Sequence, residues 1–125
     1  MKDFVIQLGH HPGEMARVTN ALSLYGVNIR SIAAMTIGDQ AVLHLIPDNT
    51  ESARSALEAA HIPFEEKAMA IVLVENRAGE LTAMAAKLAE AGVNLEAAFV
   101  VGVADDLIEL AIVSDNVKKA KKVLE

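Results

Sequence analysis

Two loops hold the residue types that could do chemistry in this chain: Gly9-His10-His11-Pro12-Gly13-Glu14 and Glu75-Asn76-Arg77-Ala78-Gly79-Glu80. In each, a glycine stands directly before a run with helical spacing. A glycine there bares the first backbone N–H groups of the helix, and those groups with the helix dipole favour a carboxylate. Asn76 lies in the second loop, and Asn28 and Asn94 follow the two helical runs. An asparagine amide both donates and accepts, so it meets an ammonium or a carboxylate equally well. A zwitterion suits this set of groups. His10 and His11 add imidazoles, the side chain that changes charge near neutral pH.

Other chemistry finds little support. Asp105-Asp106 are adjacent in a turn rather than a poised carboxylate pair, and no nucleophile stands at a recognisable spacing from a base. His10, His11, His44 and His61 lack the spacing of a metal-ligand set, and there is no cysteine. No catalytic residue, metal or cofactor is therefore expected. Glu14 and Glu80 also suit the ordinary role of a first-turn acid against the helix dipole. Lys118, Lys119, Lys121 and Lys122 surround Ala120 as a solvated helix face. The net charge of −6, with one Tyr, three Phe and no Trp, supplies neither the cationic surface nor the aromatic platform that nucleic acid needs. Hydrophobic residues make up 53%, yet no apolar run approaches the ~18 residues of a membrane span. No signal-peptide pattern opens the chain. A cytoplasmic protein that binds neither nucleic acid nor membrane is the expectation.

The elements that must position these loops are written twice. Pro12 to Ile29 returns as Ala78 to Leu95 at an offset of 66, with six of eighteen positions identical: Gly-Glu at the start, one leucine, and Gly-Val-Asn at the end. Such a period decides the architecture. The first copy reads as strand 3–8, helix from Gly13 to Gly26, strand 28–36, strand 40–46, a helix after Pro47-Asp48-Asn49, and strand 64–68. Asp48 with Glu51 resembles a capping pair. The helix stripes are Met15, Val18, Leu22 and Tyr25 in one copy and Leu81, Met84, Leu88 and Ala91 in the other, which makes Met15, Met69 and Met84 core residues. The second copy repeats β-α-β-β-α and stops at Glu125, with no residues for a last strand. The fold class is α+β: two tandem ferredoxin-like βαββαβ units, 1–68 and 69–125, each an antiparallel sheet with its helices on one face. Units of this size are marginal alone, and the apolar first strand of the second copy is left unpaired on one side, so a homodimer is expected.

At Pro12-Gly13-Glu14-Met15 with Gly26-Val27-Asn28-Ile29, and again at Ala78-Gly79-Glu80-Leu81 with Gly92-Val93-Asn94-Leu95, the chain resembles the ACT domains, regulatory modules that sense amino acids. The resemblance covers nearly the whole chain, with no catalytic domain attached. It implies an amino acid or similar small molecule held where two modules meet, and a regulated enzyme as partner. The loop before the first helix and the start of the second strand would carry the contacts. The ligand-binding candidates are thus His10, His11, Gly13, Glu14, Met15, Asn28 and Ile29 in one copy, and Asn76, Arg77, Gly79, Glu80, Leu81, Asn94 and Leu95 in the other. Asn76 stands where the family often has Asn or Asp, two residues before its Pro-Gly pair. His10 stands there in the first copy, and Ala78 replaces the proline in the second. The other readings are a small ferredoxin-like enzyme using His10 or His11 as acid or base, and an interaction module that binds no ligand.

Overall fold

The computed structural model describes all residues, 1–125, and divides into two compact units, 1–67 and 68–125. The first contains β1 (Lys2–Gly9), α1 (Glu14–Leu24), β2 (Ile29–Ile37), β3 (Gln40–Pro47) and α2 (Thr50–Ala59), and the last strand, β4 (Glu65–Ala68), ends at the boundary. The sheet order is β2-β3-β1-β4, with β3 antiparallel to both β1 and β2. This is the ferredoxin-like arrangement read from the sequence. No helix is long and apolar enough to cross a membrane.

The alternation Phe4, Ile6, Leu8 puts every second residue of β1 on the helix side of the sheet, because strand side chains alternate between faces. Register then matches them to β3: Phe4 faces Leu45, Ile6 faces Leu43, and Leu8 faces Ala41. Val18, Ala21 and Leu22 of α1 and Ala53, Ala56 and Leu57 of α2 close the core over this face. Phe64 packs on Phe4 with ring centroids 5.4 Å apart. Each fully buried Leu, Ile or Phe here contributes about 1.5–3 kcal/mol.

The second unit repeats the plan with β5 (Ala70–Glu75), α3 (Glu80–Glu90), β6 (Leu95–Ala104), β7 (Leu107–Ser114) and α4 (Val117–Leu124). Its sheet has three strands in the order β5-β7-β6, so the fourth strand is missing as the sequence predicts. Met84, Leu88, Leu110, Ile112 and Ala120 form its core.

Three local expectations need correction. Met15 and Tyr25 are about half exposed, and Leu81 more so, rather than buried in the helix stripes. Met15 and Leu81 lie in the first turns, beyond the part of each helix that covers the core, and Tyr25 is the residue that ends α1. Met69, expected in the core, is only half-buried. The cap of α2 is Asn49, not Asp48: its side chain accepts from the Ser52 N–H at 3.0 Å. Asp48 instead accepts the Asn28 N–H at 3.1 Å and returns its own N–H to the Asn28 carbonyl at 2.9 Å. The second unit repeats both devices. Asn116 caps α4 through Lys119, and Asp115 is joined to Asn94.

Candidate functional site

Gly13 and Gly79 each precede a helix with φ of 91° and no side-chain cap. That left-handed conformation favours glycine. It swings the loop from the end of the first strand onto the helix start and leaves the first turn without a side-chain capping oxygen, although in the second unit the Glu80 N–H donates to the Arg77 carbonyl at 3.3 Å. Their carbonyls begin the helices, accepting from Arg17 N–H at 3.0 Å and Ala83 N–H at 2.9 Å.

Beneath the first loop lies a cavity of about 370 Å3. Its floor is apolar: Leu8 from β1, Ala34 from β2, and Ala41 and Val42 from β3. Met15 forms the helix side, and Gly9, His10, His11, Pro12 and Glu14 form the rim. The exposed Met15 and the short Ala34 and Ala41 leave this space open between sheet and helix. On the rim, Glu14 is the organising charge. Its carboxylate lies 3.0 Å from His11 Nε2 and 3.1 Å from Arg17 Nε, and its side chain is only 17% exposed.

The second unit holds the matching cavity, about 220 Å3, lined by Val74, Asn76, Arg77, Ala78, Gly79, Glu80, Leu81, Val100, Ile108 and Leu110 among others. Its rim is wired differently. Arg77 donates to Glu80 Oε1 at 3.1 and 3.0 Å and also pairs with Glu75. These bonds and charges, the Glu80 hydrogen bond first, raise the guanidinium's pKa further above its already high value. Arg77 also borders two neighbouring hollows. One has Asn76, Asp106 and Leu107, and the other has Val72, Met84, Lys87 and Leu124. The Asn76 N–H is anchored to the Asp106 carbonyl at 2.6 Å.

The predicted site residues therefore fall into two groups in each unit. His10, His11, Glu14 and Met15 line the first cavity with Gly13 beside it, and Asn76, Arg77, Gly79, Glu80 and Leu81 line the second. Asn28, Ile29, Asn94 and Leu95 stand elsewhere. Ile29 pairs with Pro47 at one end of β3, whereas Gly9 pairs with Gln40 at the other. The strand between spans roughly 24 Å at the usual rise per residue. Asn28 and Asn94 are exposed and tie the entry of β2 and β6 to Asp48 and Asp115. Sequence reasoning did not name Ala34, Ala41, Val100 or Ile108. Only the strand register reveals them as cavity wall. The remaining histidines lie apart from the loop: His44 Nδ1 is 2.8 Å from the fully buried Asp3, and His61 follows α2.

The sequence matches no family model and no curated protein. Its fold does have solved counterparts. Protein BT0572 from Bacteroides thetaiotaomicron aligns with a TM-score of 0.87 at 22% identity, over 98% of this chain and 85% of that one. The ligand-free regulatory subunit of aspartate kinase from Thermus thermophilus aligns at 0.67 and 20%, over 98% and 88%. The aspartate kinase of Clostridium acetobutylicum aligns at 0.58 and 15%, over 98% of this chain but only 32% of that enzyme. What this chain shares with them is the architecture: α+β, with two ACT-like, ferredoxin-fold units in tandem.

Proposed function

We propose that the chain is an amino-acid-binding regulatory protein whose ligand enters the loop cavity of a unit and whose output is passed to a partner enzyme, with the chain acting as a homodimer. One observation carries this reading. A matching cavity, apolar below and charged at its rim, is built twice at equivalent places beside a helix start without a side-chain cap. The Glu14 carboxylate suits an ammonium, the bare first-turn N–H groups suit a carboxylate, and the floor suits an apolar side chain. The likeness to regulatory subunits of aspartate kinase supports the regulatory half of the proposal. A ligand that binds only the folded state raises the melting temperature, by about 2.7 kcal/mol of stability at a hundredfold excess over Kd. Thermal unfolding of the chain against a panel of L-amino acids is the test. A melting temperature that no amino acid moves, even at millimolar concentration, defeats the proposal.

A further inference from the structure

The two loop cavities are lined largely by equivalent positions; their rims differ, Gly9 against Glu75 and His11 against Arg77, and their apolar walls differ most at two positions. Ala34 faces Leu43 across β2 and β3, as Val100 faces Leu110 across β6 and β7. Ala41 faces Leu8 across β3 and β1, as Ile108 faces Val74 across β7 and β5. Register thus makes Val100 the counterpart of Ala34 and Ile108 the counterpart of Ala41. All four line their cavities. An isopropyl group replaces one methyl and a sec-butyl group replaces the other. The exchange of Leu8 for Val74 removes one methylene and that of Met15 for Leu81 leaves the bulk nearly level, so together they offset only a small part of this. The volumes follow: about 370 Å3 in the first unit and about 220 Å3 in the second. Pockets for drug-sized ligands run from about 300 Å3 upward, so only the first cavity reaches the bottom of that range.

We infer that Ala34 and Ala41 set the ligand's size: the first unit admits an amino acid with a long aliphatic side chain, such as leucine or methionine, and Val100 and Ile108 close the second unit to it. This rests on the amino-acid reading above and adds the side-chain class and the site that takes it. The occupant follows from complementarity. Leu8, Ala34, Ala41 and Met15 offer nothing to a polar tail, and a polar group buried there without a partner is costly. At the rim the Glu14 carboxylate is partly withdrawn from water, and the lone pairs not taken by His11 and Arg17 complement an ammonium head. The second rim spends its guanidinium on Glu75 and Glu80 over a smaller space.

The test transplants the walls. Calorimetric titration of the whole chain with L-leucine, L-methionine, L-alanine and glycine should give one leucine or methionine site per chain. The double variant Ala34→Val/Ala41→Ile should weaken leucine and methionine about tenfold or more, the scale on which hydrophobic pockets discriminate methylene groups, and weaken any alanine or glycine binding far less. The reciprocal Val100→Ala/Ile108→Ala should gain a second leucine site per chain, and it decides the matter if the first variant fails to fold by circular dichroism. Wild-type leucine affinity in a folded Ala34→Val/Ala41→Ile protein overturns the inference and leaves the amino-acid reading standing. So does an unchanged stoichiometry in the reciprocal variant. A wild-type chain that binds none of the four overturns the inference, and the panel of other amino acids then separately decides the reading beneath it.

Discussion

His11 Nε2 lies 3.0 Å from Glu14 Oε1, and the space in which they meet is left by the absent side chain of Gly9. A Cβ on Gly9 would stand 3.0 Å from the His11 ring and 3.2 Å from the Glu14 carboxylate. The second unit has Glu75 at that position, and its carboxylate goes to Arg77. One loop frame is thus wired in two ways, by the presence or absence of a side chain at the end of the first strand.

Replacing Gly9 with alanine should displace this contact without unfolding the protein. The atoms in the way are the ends of flexible side chains, so the pair yields and the backbone stays. Stability should change by no more than about 0.5 kcal/mol, as for an ordinary surface substitution. The imidazole resonances of His11 should move toward those seen in Glu14→Gln. Resonances identical to the wild type in Gly9→Ala would contradict the geometry described.

At the helix start the cost should be in the backbone alone. Gly13 has φ of 91°, and an added Cβ would meet nothing within 4 Å. Alanine should cost roughly 1–2 kcal/mol, the penalty of a left-handed conformation for an L-residue. Asparagine, which tolerates that region better, should cost less, and valine more. Chemical denaturation of the three variants checks the order. Equal stability of Gly13→Ala and the wild type would show that the loop relaxes into another conformation.

Arg54 and Glu66 join α2 to β4 through two bonds, Nε to Oε2 at 2.6 Å and Nη2 to Oε1 at 2.8 Å. The Arg54 hydrogen bond holds the Glu66 carboxyl below its ordinary value of 4.5. The unfolded chain therefore takes up a proton there at a higher pH than the folded chain does. Stability from the pair is complete above the ordinary value and is lost as pH falls through the folded one. Arg54 is partly exposed, with 40% of its side chain accessible, so Glu66→Gln should cost only about 0.5–1 kcal/mol at neutral pH. Urea titrations from pH 7 to pH 3 should show the two proteins converging as the pH falls. A constant difference across that range would mean that the pair does not titrate with folding.

Much of this architecture is legible in the residues. The duplicated glycine starts and Gly-Val-Asn ends mark where backbone geometry is fixed, and between them the apolar spacing needs only one face covered. The helix stops recur with the same bond, Val27 N–H to Leu22 O and Val93 N–H to Leu88 O. Met15 and Leu81 fit the apolar stripes yet stay exposed, because helical spacing identifies a face but not where the covering sheet ends. The cavity walls were out of reach for a different reason. Alanine at positions 34 and 41 announces no chemistry, and its meaning emerges only when register sets it against Val100 and Ile108, respectively. Asn28 and Asn94 show the reverse: an amide with suggestive chemistry sits at a junction where its main chain is held by an aspartate.

β5 forms one edge of its sheet, beside β7 on a single side. Leu73 stands in the middle of β5, opposite Glu109, on the face away from Val72 and Val74, and it is 66% exposed. An apolar edge strand with accessible main-chain groups is a template for pairing, and soluble proteins usually cover one. Closed two-fold pairing is the commonest cover among like chains. The protein should therefore run in light scattering at twice its 13.3 kDa chain mass at low micromolar concentration. Leu73→Lys should shift it toward the single-chain mass, because a lysine on an edge strand opposes pairing. Leu73 lies outside the core residues, so the variant should unfold within about 0.5 kcal/mol of the wild type once both are monomeric. A wild-type mass of 13.3 kDa at that concentration would count against the dimer. A Leu73→Lys protein that stays dimeric would move the interface away from this strand.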